Sequence, residues 1–126
     1  MTVNIYGYEE ADWEAAKTEA IDILIATARR RGRIPYSHLT SQISSIAIEP
    51  DDPRLSHFLD EISSQEEANG RGLLTAIVVH KNGNMHPGPG FFELAQRCGR
   101  DTDVILRCWI EEFNNIHDYW ANRNPT

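Results

Sequence analysis

The sequence predicts an α+β domain in which three helices precede a β-hairpin and two further helices follow it. Three observations carry this expectation: five segments whose apolar residues recur at helical spacing, a β-branched apolar run from Leu73 to His80, and the dipeptide Asn82-Gly83 just beyond that run. The first helical segment runs from Glu9 to Arg31, with Trp13, Ala16, Ala20, Leu24 and Ala28 on one face and Ile21 and Ile25 widening it. Acids crowd its start and arginines its end, which suits the helix macrodipole, and Gly32 is the expected stop. Pro35 biases Ile34 to an extended backbone, so Arg33 to Pro35 is expected as a short strand. A second, short helix begins near its N-cap Ser37 and turns Leu39 and Ile43 inward. Ile46 and Ile48 alternate briefly before the turn Pro50-Asp51-Asp52. There Asp52 can cap a third helix that opens on Pro53, buries Leu55, Phe58, Leu59 and Ile62, and ends at Asn69-Gly70.

Leu73 to His80 is expected to be the first arm of the hairpin, because Asn-Gly supplies the two positive-φ residues that a tight hairpin turn needs. The return arm, Asn84 to Gly90, contains Pro87 and Pro89, which cannot donate to a ladder, so it should be short and at an edge. Phe91 to Cys98 reads as a short helix stopped by Gly99. Asp101 or Thr102 can cap the last helix, with Val104, Ile105, Cys108, Trp109, Phe113, Ile116 and Trp120 as its inward stripe. Three helices followed by a hairpin is the layout of winged helix-turn-helix domains. The expectation is therefore a single winged-helix-like domain over residues 1–126 with two additional C-terminal helices.

A length of 126 residues suits one hydrophobic core without disulfide or metal staples, and a 40% hydrophobic fraction makes such a core affordable. The start MTVNIYGYEE lacks the basic and apolar regions of a leader, and the longest apolar run, Ala76 to Val79, is too short to cross a bilayer. A cytoplasmic location with no membrane partner is the expectation. Cys98 and Cys108 then stay as thiols and read as small buried apolar residues. The net charge of −7 opposes indiscriminate binding to polyanions. Its distribution is uneven: residues 1–28 set one lysine against six carboxylates and residues 49–67 one arginine against seven, whereas Arg29, Arg30, Arg31 and Arg33 form the one dense basic cluster.

From Gly32 to Gly90, GRIPYSHL and LLTAIVVHKNG give the chain a layout that resembles the winged-helix half of the alkylguanine-DNA alkyltransferase-like proteins. That family carries a nucleophilic cysteine in a Pro-Cys-His-Arg run just before paired valines. Here Leu74, Thr75, Ala76 and Ile77 stand in that place, so alkyl transfer is not implied. The segments DPRLSHFLDEIS, LLTAIVVHK and PGPGFFELA, across residues 52–95, are similar to those of a family of small bacterial proteins of uncharacterised function; this resemblance supports the boundaries of the domain and implies no catalytic residue.

Several constellations could carry chemistry. His80 and His86 flank the turn and Glu93 follows in the next helix, a set that could bind a divalent metal or do acid/base work, although its spacing matches no tight ligand pattern. Gly88-Pro89-Gly90 lacks the Lys-Ser/Thr of a nucleotide cradle and reads as a sharp turn. Asp60-Glu61 and Glu66-Glu67 read as a solvated helix face. On DNA, Arg54 and His57 would approach bases, Lys81 would decorate the wing, and Arg29, Arg30, Arg31 and Arg33 would meet phosphates, against the repulsion of an acidic third helix. Trp109, Phe113, Tyr119 and Trp120 make the last helix aromatic enough for a partner surface or a homodimer. The balance favours a non-catalytic binding or regulatory domain acting mainly through protein contacts, with no cofactor. A winged-helix DNA-binding regulator and a small metal-dependent hydrolase centred on His80, His86 and Glu93 are the alternatives.

Overall fold

The computed structural model describes residues 4–79 and 89–121. Asn4–Ile5 (β1) and Tyr8–Glu9 (β2) form an antiparallel pair around Tyr6 and Gly7, whose φ values of 52° and 89° are those a two-residue hairpin turn demands. Glu10–Arg29 (α1) follows, and the stripe Trp13, Ala16, Ala20, Leu24 and Ala28 is buried as its spacing predicts. Ile34–Pro35 (β3) leads into Tyr36–Gln42 (α2), and Arg54–Ala68 (α3) comes after an irregular stretch that buries Ile43, Ile46 and Ile48. That stretch is pinned by the Glu19 carboxylate, which accepts the Ser44 and Ser45 amides at 3.2 and 3.0 Å as well as the Ser44 hydroxyl; these bonds hold its pKa down at about 2. Pro89–Arg97 (α4) and Ile105–Ala121 (α5) complete the described elements.

The sequence is wrong about the middle of the chain. Leu73 to Val79 is buried throughout, but Leu74–Ile77 is a single 3₁₀ turn, and among the described residues the strand is Val78–Val79 (β4), parallel to β3 with Ile34 opposite Val78. Side chains replace the missing ladder. Glu112 accepts the Leu73 amide at 2.9 Å, Ser63 Oγ accepts the Thr75 amide at 3.0 Å, and Trp109 Nε1 donates to the Ala76 carbonyl at 2.8 Å. A β-branched composition marks a buried run, and here α3 and α5 rather than a neighbouring strand meet its polar groups. The rest of the expected hairpin, including Asn82-Gly83, lies outside the described residues.

α5 packs along α1 and this central segment, burying Cys108, Trp109, Ile116 and Trp120. The buried Glu112 carboxylate also takes a two-point contact from Arg100 (3.0 and 3.1 Å), which in turn reaches Glu67 of α3 at 3.0 Å. Gly72 passes so close that a Cβ there would sit 3.0 Å from Ile116 Cδ1 and 3.2 Å from Glu112 Oε1, at a φ of 87°. α5 starts later than its acids suggest: Asp101 accepts the Asp103 amide at 3.0 Å in a local turn, and Val104 offers the first helical carbonyl to Cys108. The described residues form an α+β fold of five α-helices with a two-stranded parallel sheet; no helix among them is long and apolar enough to cross a membrane.

Three helices end in the same two-bond motif. At the end of α3, Arg71 and Gly70 donate back to Glu66 and Glu67; at the end of α4, Arg100 and Gly99 donate to Ala95 and Gln96. In both, glycine holds the left-handed position (φ 75° and 84°). At the end of α1 the donors are Gly32, to Thr27 at 2.9 Å, and Arg31, to Ala28 at 3.0 Å. The left-handed residue is therefore Arg31, at φ 54°, and the glycine predicted to stop the helix stands one position late.

Left-handed backbone costs a side-chain-bearing residue about 1–2 kcal/mol, while the exposed Arg31–Asp118 ion pair it secures is worth at most about 1 kcal/mol. Urea denaturation should therefore find Arg31→Gly no less stable than the parent and Arg31→Val weaker by about 1–2 kcal/mol; a glycine variant losing more than an exposed ion pair is worth would refute this account. Glu112→Ala, which strands the Leu73 amide and the Arg100 guanidinium, should cost about 3 kcal/mol. Glu112→Gln, which keeps an acceptor, should cost clearly less by the same measurement.

Candidate functional site

The arginine cluster lies at the surface, with Arg29 half-buried and Arg30, Arg31 and Arg33 exposed, but three of its members make contacts within the chain. Arg29 lies over the Trp120 ring at 5.7 Å, Arg30 donates to the Ala26 carbonyl and to Thr27 Oγ1, and Arg31 pairs with Asp118 of α5 at 2.9 Å, leaving Arg33 exposed beyond the helix. Arg54 is equally committed. Its fork holds Asp52 (Nε at 3.0 Å, Nη2 at 2.6 Å), its Nη1 donates to the Tyr6 carbonyl, and its plane lies over Tyr8 at 4.4 Å. His57, exposed one turn further along α3, stacks on Tyr6 with centroids 4.8 Å apart. Glu93 is exposed on α4, whereas His80, Lys81 and His86 lie outside the described residues. Among the described residues no three His, Cys, Asp or Glu side chains converge to hold a metal.

The aromatic stripe of α5 is taken up by the core. Trp109 and Trp120 are buried, Phe113 and Tyr119 are half-buried against the core, and His117 bonds the Gly32 carbonyl at 2.7 Å. The apolar surface lies elsewhere on the same helix: Val104, Ile105, Leu106 and Ile110 are 49, 54, 57 and 45% exposed. Val104 and Ile105 were expected on the inward stripe, but α5 overhangs the core at this end and leaves them in water. Leu106 and Ile110, four residues apart and off the stripe through Trp109, Ile116 and Trp120, are the signal in the sequence that could have exposed this patch.

A second feature was not visible in the sequence. The N-terminal hairpin, α3 and α4 together border an open surface groove of about 530 Å³ lined by Tyr6, His57, Asp60, Leu94, Arg97 and Cys98. Asp60, expected on a solvated face, is half-buried here. Burial pushes its carboxyl above the ordinary range even though Arg97 reaches it at 3.1 Å. Burial likewise pushes the Cys98 thiol up, with Glu67 adding to the effect, so at neutral pH it is held as the unreactive thiol. The groove offers an aromatic flank, an acid, a cation and an apolar floor, a combination suited to holding a ligand.

No protein-family model, curated protein or solved structure matches this chain.

A raised thiol pKa predicts slow chemistry at Cys98. Iodoacetamide alkylation at pH 7, followed by mass spectrometry, should run more slowly than that of a free thiol and climb as pH rises past the ordinary thiol range. A rate at neutral pH above that of the free thiol would reveal an activated nucleophile and return an enzymatic role to the groove.

Proposed function

We propose that this chain is a non-catalytic, winged-helix-like domain that works through protein contacts, with the exposed start of α5 as its contact surface. One observation carries the reading. Four large apolar side chains, Val104, Ile105, Leu106 and Ile110, stand about half exposed within two turns of one another, rimmed by the exposed polar residues Asp101, Asp103, Arg107 and Glu111. Contiguous apolar surface rimmed by charge is the composition of a protein-contact patch.

The winged-helix part of the proposal rests on the order α1, β3, α2, α3, β4, in which two paired strands bracket the second and third helices. In such a scaffold a DNA-binding protein would present α3 and a cluster of free cations. Here Arg54 is spent on Asp52 and Tyr8, three of the four clustered arginines are engaged within the chain, and α3 carries Asp60, Glu61 and Glu67. Each of these supports protein over nucleic acid as the partner.

A photocrosslinker at position 106 should give a discrete protein adduct in the cell of origin. That adduct should be lost when Ile110→Asp is added in a variant whose thermal melt is unchanged; light scattering then tells a second copy from another protein. Labelled duplex DNA at low salt should show no binding that Arg30→Ala/Arg31→Ala removes. Loss of such binding in the arginine variant, with no dependence of any adduct on Ile110, would replace this reading with the DNA-binding one.

A further inference from the structure

The groove beside α3 and α4 plays no part in the α5 surface, and its walls are chemically sorted. Tyr6 and His57, stacked at 4.8 Å with 15° between their planes, form an aromatic flank, with Tyr6 also 5.4 Å from Trp13, and Leu94 and Cys98 supply an apolar floor. Two carboxylates line the space. Glu61 is already taken by Trp13 Nε1 at 3.2 Å and Lys17 Nζ at 3.1 Å. Asp60 is held far more loosely. Arg97 meets it through Nη2 alone, at 3.1 Å, from a side chain that is 64% exposed, whereas Arg54, Arg71 and Arg100 each grip their carboxylates at two points. A half-buried acid with a one-point rim partner exchanges that partner readily.

We propose that the groove is a binding site for an arginine side chain of a partner peptide, whose guanidinium displaces Arg97 from Asp60 and lies against the Tyr6–His57 stack. The protein already contains this arrangement once. At the start of α3, Arg54 forks onto Asp52 while its plane covers Tyr8 at 4.4 Å. A ligand arginine on Asp60 and Tyr6 repeats that pairing from outside. The volume of about 530 Å³ exceeds what one guanidinium fills, leaving room for flanking peptide, and the net charge of −7 draws a basic segment in. The site stands independently of the α5 surface.

The test is an NMR titration of the full chain with the peptide acetyl-Gly-Arg-Gly-amide and with its Asp-for-Arg counterpart. The arginine peptide is expected to shift the His57, Leu94 and Cys98 signals saturably, and the aspartate peptide is expected not to. Asp60→Asn should weaken binding by about tenfold or more, the loss of a charge-assisted contact. Arg97→Ala, which removes the internal competitor, should strengthen it severalfold, and thermal melts check that both variants fold. Weaker binding in Arg97→Ala, binding of the aspartate peptide, or no saturable shift at the groove overturns the proposal.

Discussion

The fold depends on burying Leu73 to Val79, a run of which two residues, Val78 and Val79, enter a sheet among the described residues. Every residue of this run is inside, and its short strand pairs with two residues of β3, so among the described residues most of its peptide groups have no ladder partner. An unpaired peptide group in an apolar interior costs about 1–3 kcal/mol, enough to forbid leaving several open. The chain meets the demand with three side chains from two helices: Ser63 from α3, and Trp109 and Glu112 from α5. The rest is constrained in turn. A buried carboxylate at 112 needs a cation, supplied by Arg100; Arg100 needs its second acid, supplied by Glu67; and the close approach forces glycine at 72.

This constraint also sets which faces look outward. With Trp109, Glu112 and Ile116 fixed against the central segment, Leu106 and Ile110 are turned away from the core. With Phe58, Ile62 and Ser63 fixed, His57 and Asp60 are carried to the opposite edge of α3, where the N-terminal hairpin and α4 border an open groove with them. Both candidate contact surfaces are consequences of how one irregular segment is hydrogen-bonded.

The helices are legible because burial writes a period of 3.6 into the sequence: the apolar stripes of α1 and α3 are buried as their spacing predicts. The polar residues buried beside them, Lys17, Thr27, Ser63 and Glu66, are not signalled by that spacing, and Glu66 departs from the solvated face expected of it because it holds Arg71. Three further features are not legible. The central segment has the composition of a strand, and the side chains that hydrogen-bond it lie 12 to 39 residues away, where no local pattern registers them. The end of α1 carries a glycine in the right neighbourhood, but an arginine one position earlier takes the left-handed position and pairs with Asp118. The groove draws its lining from residues 6, 57–65 and 94–98, three separate stretches that only the tertiary fold brings together. The number and position of the arginines are plain in the sequence but their partners are not: Trp120 and Thr27 orient Arg29 and Arg30, and Asp118 offsets the charge of Arg31.

The distances along the chain that made the central segment hard to read also govern its assembly. Leu73 and Ala76 find their partners 39 and 33 residues later, in α5. During synthesis, α1 to α3 and the apolar run emerge first and must wait, with open peptide groups, until Glu112 has cleared the ribosome. The nascent chain thus passes through an interval in which this apolar stretch has α3 and β3 beside it but not the partners of Leu73 and Ala76, and the last helix acts as the latch that ends it.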